Sequence, residues 1–316
     1  MRMILRKLLQ LVLVLLLVTL GAFLLIKARG GDPVDSIIPF GTPEQKQELR
    51  EDLGLDKPVY EQYWDWLTGF VTGDLGKFYD TQEDVSARLS DALPVSLLLM
   101  FYAQTLALIV AIPLGVITAY RAGRISDRGI NAGMFALLAI PNFVLALLLT
   151  YYIGARYQWL PTGGYTKPSE DLVEHVRTMI LPTISLAAAQ IAVYMRLLRS
   201  DMIATLQENF ITMAKAKGIT NRRILWRHAL RPSSLTLLTV AGLNVGTLIG
   251  GAVVIEVIFS LPGVGLQLYQ AIQQNQFVAL QSIVALIAIF YVVLNFFVDL
   301  LYAILDPRIR HERTAA

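Results

Sequence analysis

PVSLLLMFYAQTLALIVAIPLGVITA, residues 94–119, runs for 26 residues without one Asp, Glu, Lys or Arg. A water-facing helix of that length needs a polar side, so a stretch apolar all round must be buried in protein or lipid. A hydrocarbon core about 30 Å thick asks for roughly 20 apolar residues per helix. The stretch therefore predicts a membrane-crossing helix. Working outward, the same reading applies to Leu8–Ile26, Ile130–Ile153, Met179–Leu197, Leu235–Val257 and Ser282–Leu305. The apolar runs are continuous instead of alternating, which argues against a β-barrel. The expected fold class is an all-α, polytopic membrane protein with about six transmembrane helices.

Composition agrees. Of the 316 residues, 55% are hydrophobic and 16% charged, with a mean hydropathy of +0.55. A soluble domain would carry about 25% charged residues. The chain has no cysteine, which removes disulfides, thiolate nucleophiles and cysteine-ligated zinc from consideration. His175, His228 and His311 are far apart and show no metal-ligand spacing, so they read as loop or helix-end residues. No metal, and no cofactor held by this chain, is expected.

At the start, Arg2, Arg6 and Lys7 precede the run Leu8–Ile26, which ends in Lys27-Ala28-Arg29 without a small-residue cleavage site. A signal peptide has a shorter apolar region, about 7–15 residues, so an uncleaved first helix is predicted. With the N-terminus in the cytoplasm, 17 of the 27 basic residues fall on the inside, against five acidic ones, for a net charge of +12. Between the first and second spans lie only seven basic residues but 14 of the 24 acidic ones. The positive-inside rule then places both termini in the cytoplasm.

The chain thus divides into residues 1–91 (first transmembrane helix with an external subdomain), residues 92–306 (a core of five transmembrane helices) and a cytoplasmic tail, residues 307–316. Within the external part, Thr42 can cap a helix, Pro43 fits its first turn and Gly54 can end it. Tyr60, Tyr63, Trp64, Trp66 and Phe70 follow, as suits a segment lying at a membrane–water interface.

The cytoplasmic loop 199–231 carries the sharpest functional signal. Ile203, Leu206, Phe210, Met213 and Ala214 recur at steps of three and four, making one apolar helix face. Gly218 can supply a left-handed turn ending that helix, and a second short helix is predicted from Thr220 or Asn221. Arg222, Arg223, Arg227 and His228 follow. Such a face lies on anionic lipid or docks on a cytoplasmic partner.

On these residues the loop resembles the EAA loop of permease subunits of bacterial binding-protein-dependent ABC importers. Ala214, Lys215, Ala216, Lys217 and Gly218, then His228-Ala229-Leu230-Arg231, are similar to the variant of the dipeptide and oligopeptide branch, except that Pro232 stands where another residue is usual. Gly31-Asp32-Pro33, Leu53-Gly54-Leu55-Asp56-Lys57-Pro58, Gly73-Asp74-Leu75-Gly76, Leu160-Pro161-Thr162-Gly163-Gly164-Tyr165, Phe259-Ser260-Leu261-Pro262-Gly263-Val264-Gly265 and the run from Asp299 to Arg310 extend the resemblance over nearly the whole chain. It implies a B-type permease subunit with the type I importer (MetI-like) fold, in a bacterial cell membrane. It implies a second homologous permease, two cytoplasmic ATPase subunits that hold ATP and Mg, an extracellular binding protein and a peptide substrate. Nickel complexes, glutathione or oligosaccharides are alternative cargoes of the same branch. No nucleic-acid partner is expected. The resemblance assigns Phe210, Met213, Ala214, Lys215, Ala216, Gly218, Arg222, Arg223 and His228 to coupling with the ATPase.

Within the spans, Gly242, Gly246 and Gly250, with Gly251 adjacent, form a small-residue stripe for helix packing or gating. Gln104, Asn142, Gln190, Asn244, Glu256, Asn295 and Asp299 are the polar residues at membrane depth, read either as interhelical polar clusters or as pathway lining, with Glu256 near the outer interface. Pro262 to Gln276 reads as a re-entrant or external plug segment. Gly73-Asp74-Leu75-Gly76-Lys77 is not a phosphate loop, since Val71 and Phe78 occupy positions where that pattern needs Gly and Ser or Thr. An independent channel or secondary transporter would not need the loop at 199–231. A membrane enzyme lacks any Ser/His, paired-Asp or His-Glu-x-x-His constellation in the spans.

This topology is testable in a chain without native cysteine. Gln45→Cys and Thr166→Cys should react with an impermeant thiol reagent in intact cells, and Ser126→Cys and Thr220→Cys only after permeabilisation. External labelling at position 220 would overturn the orientation.

Overall fold

The computed structural model describes residues 2–29 and 33–305. Gly31, Asp32, residues 306–310 of the family-like run, and the predicted tail 307–316 lie outside them. The described residues form helices α1 (Arg2–Arg29), α2 (Pro33–Ile37), α3 (Pro43–Asp52), α4 (Val59–Thr72), α5 (Val85–Tyr120), α6 (Ile125–Ala139), α7 (Asn142–Leu149), α8 (Leu172–Leu206), α9 (Asn209–Ala216), α10 (Asn221–Arg223), α11 (Leu230–Phe259), α12 (Val264–Gln273) and α13 (Phe277–Leu305). The chain is π-helical at Thr150–Arg156 and at Ile224–Ala229. Among the described residues the only β-type pairing outside the helices is an isolated bridge between Lys77 and Asp84.

Among the described residues four helices are long and apolar enough to cross a membrane: Val85–Tyr120, Leu172–Leu206, Asn221–Phe259 and Phe277–Phe296. The predicted span Ile130–Ile153 is not one helix. It breaks between α6 and α7 with a bend of 97°. Pro141 has no N–H to continue the helix, and its ring pushes Ile140 into extended backbone (φ −87°, ψ 119°). In α1 the apolar segment among the described residues is Val12–Ala28.

The chain resolves into two compact units, one of Met1–Ser96 with Pro262–Val293, the other of Leu97–Leu261 with Leu294–Ala316. The first is not a linear N-terminal block, because residues 262–293 return to it. Its α3 starts as predicted: Thr42 accepts from the Gln45 N–H, and the Gln45 side chain accepts from the Thr42 N–H. Gly54, after its end, has φ +64°. On α4 the aromatic residues meet at a tilt, with ring centroids 5.9 Å apart for Tyr63–Trp66 and 5.1 Å for Trp66–Phe70, and Tyr63 meets Phe23 of α1 at 5.5 Å. The phosphate-loop look-alike is a turn. Gly73 ends α4 at φ +94°, Asp74 Oδ1 accepts from the Gly76 N–H, and Gly76 combines φ +79° with a backbone so close to Val278 that any Cβ would collide. The Pro262–Gln276 segment is mostly the amphipathic helix α12, whose Val264 and Ala271 enter the core with Phe78, Val85, Leu89 and Ile283. Ser96 Oγ accepts from the Val264 N–H at 2.9 Å.

The second unit is organised around α8, whose best apolar window is 78% buried. Leu181, Ala187, Ala192, Tyr194, Met195, Leu198 and Met202 are fully enclosed, so the helix is covered on nearly every side by its neighbours, chiefly α11, α6 and α7. Its N-terminus is capped by Asp171, which accepts from the N–H groups of Val173 and Glu174. Near its other end Arg199 grips Asp127 of α6 with two hydrogen bonds, Nε to Oδ1 at 2.8 Å and Nη2 to Oδ2 at 2.7 Å. Asp127 is 3% exposed and also accepts from Asn131 and from the Gly123 N–H.

Breaking a buried pair from one side costs about 3–5 kcal/mol, and the lower end applies because Arg199 retains some contact with solvent. Arg199→Met should therefore lower the thermal midpoint of the purified protein by several degrees. Arg199→Lys should recover only part of it, since an ammonium cannot reproduce the two-pronged contact. Equal melting of both variants and wild type would show the pair to be without structural weight.

Candidate functional site

The loop after α8 is built by local chain chemistry. The apolar face predicted from Ile203 to Ala214 is not continuous. α8 stops at Leu206, Gln207 and Glu208 make a turn, and α9 restarts at Asn209 with Glu208 as an extended N-cap residue. The restart splits the predicted face. Ile211 and Ala214 turn inward at 0% and 7% exposure, whereas Phe210 and Met213 stand out at 46% and 59%. Gly218 adopts φ +75° directly after α9, as predicted, with nothing within 4 Å of a notional Cβ. The left-handed backbone, not crowding, is what calls for glycine there. The Ile219 N–H reaches back to the Ala214 carbonyl at 3.2 Å and closes the turn.

Past the turn, Thr220 precedes α10, and the chain widens into the π-helical Ile224–Ala229 before α11. Pro232, the departure from the family-like pattern, sits three residues past the π-helical stretch, inside the continuous helical run Asn221–Phe259. Ile224 and Ala229 are buried, and His228 is half-buried. Lys215, Ala216, Lys217, Arg222, Arg223 and Arg227 are exposed, and Trp226 is 45% exposed. Thr220, Arg222, Arg223 and Trp226 line one open hollow. The outer surface of the loop therefore combines three protruding apolar side chains, Phe210, Met213 and Trp226, with a set of basic ones. Three- and four-residue periodicity does not reveal Trp226 as part of this surface, because a π-helical turn breaks the repeat there.

A second group forms within the spans. Tyr194 Oη donates to Gln104 Oε1 at 3.1 Å, and Gln104 Nε2 donates to the Ala241 carbonyl at 3.3 Å. Asn244 Nδ2 donates to Gln190 Oε1 at 3.0 Å, and Gln190 Nε2 donates to Thr247 Oγ1 at 3.2 Å. Gln104, Gln190 and Asn244 are thus brought together across α5, α8 and α11, with Tyr194 and Thr247 as members the sequence reading lacked. Asn142 lies apart from these bonds, at the start of α7, near Gly251. Asn295 is half-buried on α13, and the Asp299 side chain is outside the described residues. Glu256 is 1% exposed, enclosed by protein within the last turn of α11. Nearby, the loop after α7 lies on the end of α11, where the Gly164 N–H donates to the Phe259 carbonyl at 2.9 Å. A Cβ on Gly163 would stand 2.7 Å from that same oxygen.

The glycine stripe divides. Gly246 is buried, a Cβ on Gly242 would lie 2.9 Å from Val298 Cγ1, and one on Gly251 would lie 2.8 Å from Leu186 Cδ1. Gly250 meets nothing within 4 Å. It shares an uncovered face of α11 with Leu243, Thr247 and Val254. Gly242→Ala should therefore press on a stiff β-branched neighbour and cost about 1–3 kcal/mol, while Gly250→Ala should leave the folded chain unchanged. Thermal unfolding of the two purified variants checks this, and equal loss in both would mean that the face of Gly250 is covered.

Residues 111–311 match the family described as binding-protein-dependent transport system inner membrane component, and residues 1–100 match the N-terminal component of such systems. The oligopeptide transport system permease protein AppB of Bacillus subtilis is 36% identical over 312 residues, covering 98% of this chain and 99% of that one. The di/tripeptide transport system permease protein DppB of Pseudomonas aeruginosa is 35% identical, with 94% and 95% covered. A putative peptide transport system permease protein of Brucella abortus is 34% identical, with 98% and 99% covered. Among solved structures, the inward-facing MetNI methionine ABC transporter superposes with a TM-score of 0.56 at 17% identity, over 69% of this chain and 96% of that chain, a likeness of fold. With matches over both halves and relatives above 30% identity along almost its full length, the chain belongs to the family of binding-protein-dependent transport system inner membrane components.

Proposed function

We propose that this chain is one of two permease subunits that together form the pathway of an ABC importer for di- and oligopeptides. An extracellular binding protein delivers the peptide, and two cytoplasmic ATPase subunits hold ATP and Mg and supply the energy. Both termini lie in the cytoplasm. The names of the relatives support peptide as cargo. The carrying observation is the outer surface of the loop: Phe210, Met213 and Trp226 stand out from it among Lys215, Lys217, Arg222, Arg223 and Arg227.

An apolar ridge of this kind seats in a partner's groove, and basic residues at its rim set register and approach. The ridge is also firmly held. α9 follows α8 after a two-residue turn, and Arg199 and Asp127 pin that end of α8. Displacement of the loop by the ATPase is thereby passed to a helix that carries Gln190 and Tyr194 farther along its length. The uncovered α11 face of Leu243, Thr247, Gly250 and Val254 is the surface assigned to the second permease or to the pathway between the two.

The test is the reconstituted complex in liposomes, with ATP hydrolysis and peptide uptake measured together. Met213→Glu places a charge on the exposed ridge and should leave insertion and folding intact while abolishing stimulated uptake. Gly218→Val forces a β-branched residue toward positive φ and should misalign α9 and α10, with the same loss. Ala214→Glu buries a charge inside the chain and should lower stability as well. Wild-type coupling in Met213→Glu and Gly218→Val would remove the loop from the mechanism.

A further inference from the structure

The aromatic residues of α4 do not share one face. Tyr63 and Trp66 turn inward: Tyr63 lies against Phe23 of α1 with its Oη 3.0 Å from Thr19 Oγ1, and Trp66 Nε1 donates to Ser282 Oγ of α13 at 3.0 Å. Tyr60, Trp64 and Val71 stand outside, at 72%, 63% and 76% exposure, with the half-buried Leu67 among them. Steps of four, three and four residues line these four side chains up in one stripe along the helix. Glu61, Asp65, Thr68 and Thr72 are also exposed, and Asp65 pairs with Lys57 at 2.6 Å. At about 100° per residue they fall on a third face, roughly a quarter-turn from the stripe.

One helix thus has a side packed on protein, an uncovered apolar side and an uncovered polar side. Their order around the helix matters. The stripe adjoins Tyr63, the residue that touches α1, and the polar face lies beyond it. α1 is apolar over Val12–Ala28, with Leu20, Leu24 and Leu25 exposed. In an inner membrane component, exposed leucines on such a helix face lipid. The stripe on α4 therefore extends from the flank of a lipid-facing helix. The level of the contact is also defined. Lys27, the first charged residue after the uncharged run Leu8–Ile26, donates from Nζ to Gln62 Oε1 at 2.6 Å. Thr19, which meets Tyr63, lies roughly 12 Å deeper along α1 at 1.5 Å per residue. The contact between α1 and α4 spans the boundary between headgroups and hydrocarbon. A protein partner gives no reason for an apolar stripe to lie between the α1 contact and a polar face; a bilayer surface does.

We propose that α4 lies along the bilayer surface, with Tyr60, Trp64, Leu67 and Val71 inserted where headgroups meet acyl chains and with Glu61, Asp65, Thr68 and Thr72 in water. Tyr and Trp, apolar rings with a polar tip, suit that depth. A helix so placed buries its apolar face about 5–10 Å into the boundary. Through Tyr63 and Trp66 it then holds α1 and the start of α13 at one depth. Assignment to the outer leaflet rests on the topology proposed above; the seating itself does not.

The chain has no native cysteine, so a nitroxide can be attached at one chosen position at a time. The experiment labels Tyr60→Cys, Trp64→Cys and Val71→Cys, and for the polar face Glu61→Cys and Thr68→Cys, in the intact transporter complex with cysteine-free partner subunits in phospholipid nanodiscs. Collision of each label with oxygen, which concentrates among acyl chains, is compared with collision with a water-soluble nickel chelate. The oxygen-to-nickel ratio should be several-fold higher at 60, 64 and 71 than at 61 and 68. All five positions are exposed, so the labelled chains should melt like wild type. Equal ratios at all five positions would put the stripe in water and overturn the proposal. Low collision with both reagents at 60, 64 and 71 would show a protein cover and overturn it too. So would protection that appears only when the extracellular binding protein is added. An inverted labelling pattern for Gln45→Cys and Thr220→Cys would leave the collision ratios unchanged, and the ratios involve neither transport nor ATP, so either reading can fail while the other stands.

Discussion

Enclosure of α8 is the constraint on which the second unit depends. A helix surrounded on nearly all sides by protein cannot shift by itself, because close-packed interiors do not deform continuously. It can move only with what it touches. α8 carries at one end a grip on Asp127, along its length the amide and hydroxyl chain of Gln190 and Tyr194, and directly beyond Leu206 the exposed ridge of the following loop. At its other end His175 is fully buried, with Nδ1 2.7 Å from the Thr166 carbonyl and Nε2 3.1 Å from Tyr102 Oη, so the loop before α8 is anchored to it too. One enclosed element thus joins the exposed ridge of the loop that follows it, the polar groups of the spans and the loop before it.

Backbone satisfaction explains the irregular places. Within hydrocarbon every N–H and C=O must find a partner in the chain, so a span can break only where protein covers the break. Pro141 breaks the third apolar run, and α7 then packs on α8 and α11. Two π-helical stretches lie within longer helical runs, Thr150–Arg156 at the end of the run that begins with α7 and Ile224–Ala229 near the start of the run that ends with α11. The loop after α8 leans on the second of these: Ile224 and Ala229 turn inward while Trp226 and the arginines remain outside.

What was legible in the sequence was local. The helix cap at Thr42, the end of α3 before Gly54 and the left-handed Gly218 all depend on residues within one turn of each other, and the structure has each of them. The membrane class was equally plain, because uncharged runs of this length have few other uses. Misreadings came from assuming continuity. Hydrophobicity bridged Pro141, and three- and four-residue steps bridged Gln207, although the chain turns at both. Pairings distant in sequence left no signal: Asp127 with Arg199, Gln104 with Tyr194, and Trp66 with Ser282 exist only once helices have packed. The burial of Glu256 likewise depends on neighbours that hydropathy does not describe.

The central claim is that Phe210, Met213 and Trp226 sit in a groove of a cytoplasmic ATPase. A photoreactive side chain introduced in place of Phe210 tests this most directly, in membranes containing the assembled transporter. Irradiation should give a covalent product with the ATPase subunit, in a yield that changes when ATP is added. Products with lipid alone, or none with the ATPase in either nucleotide state, would contradict the account.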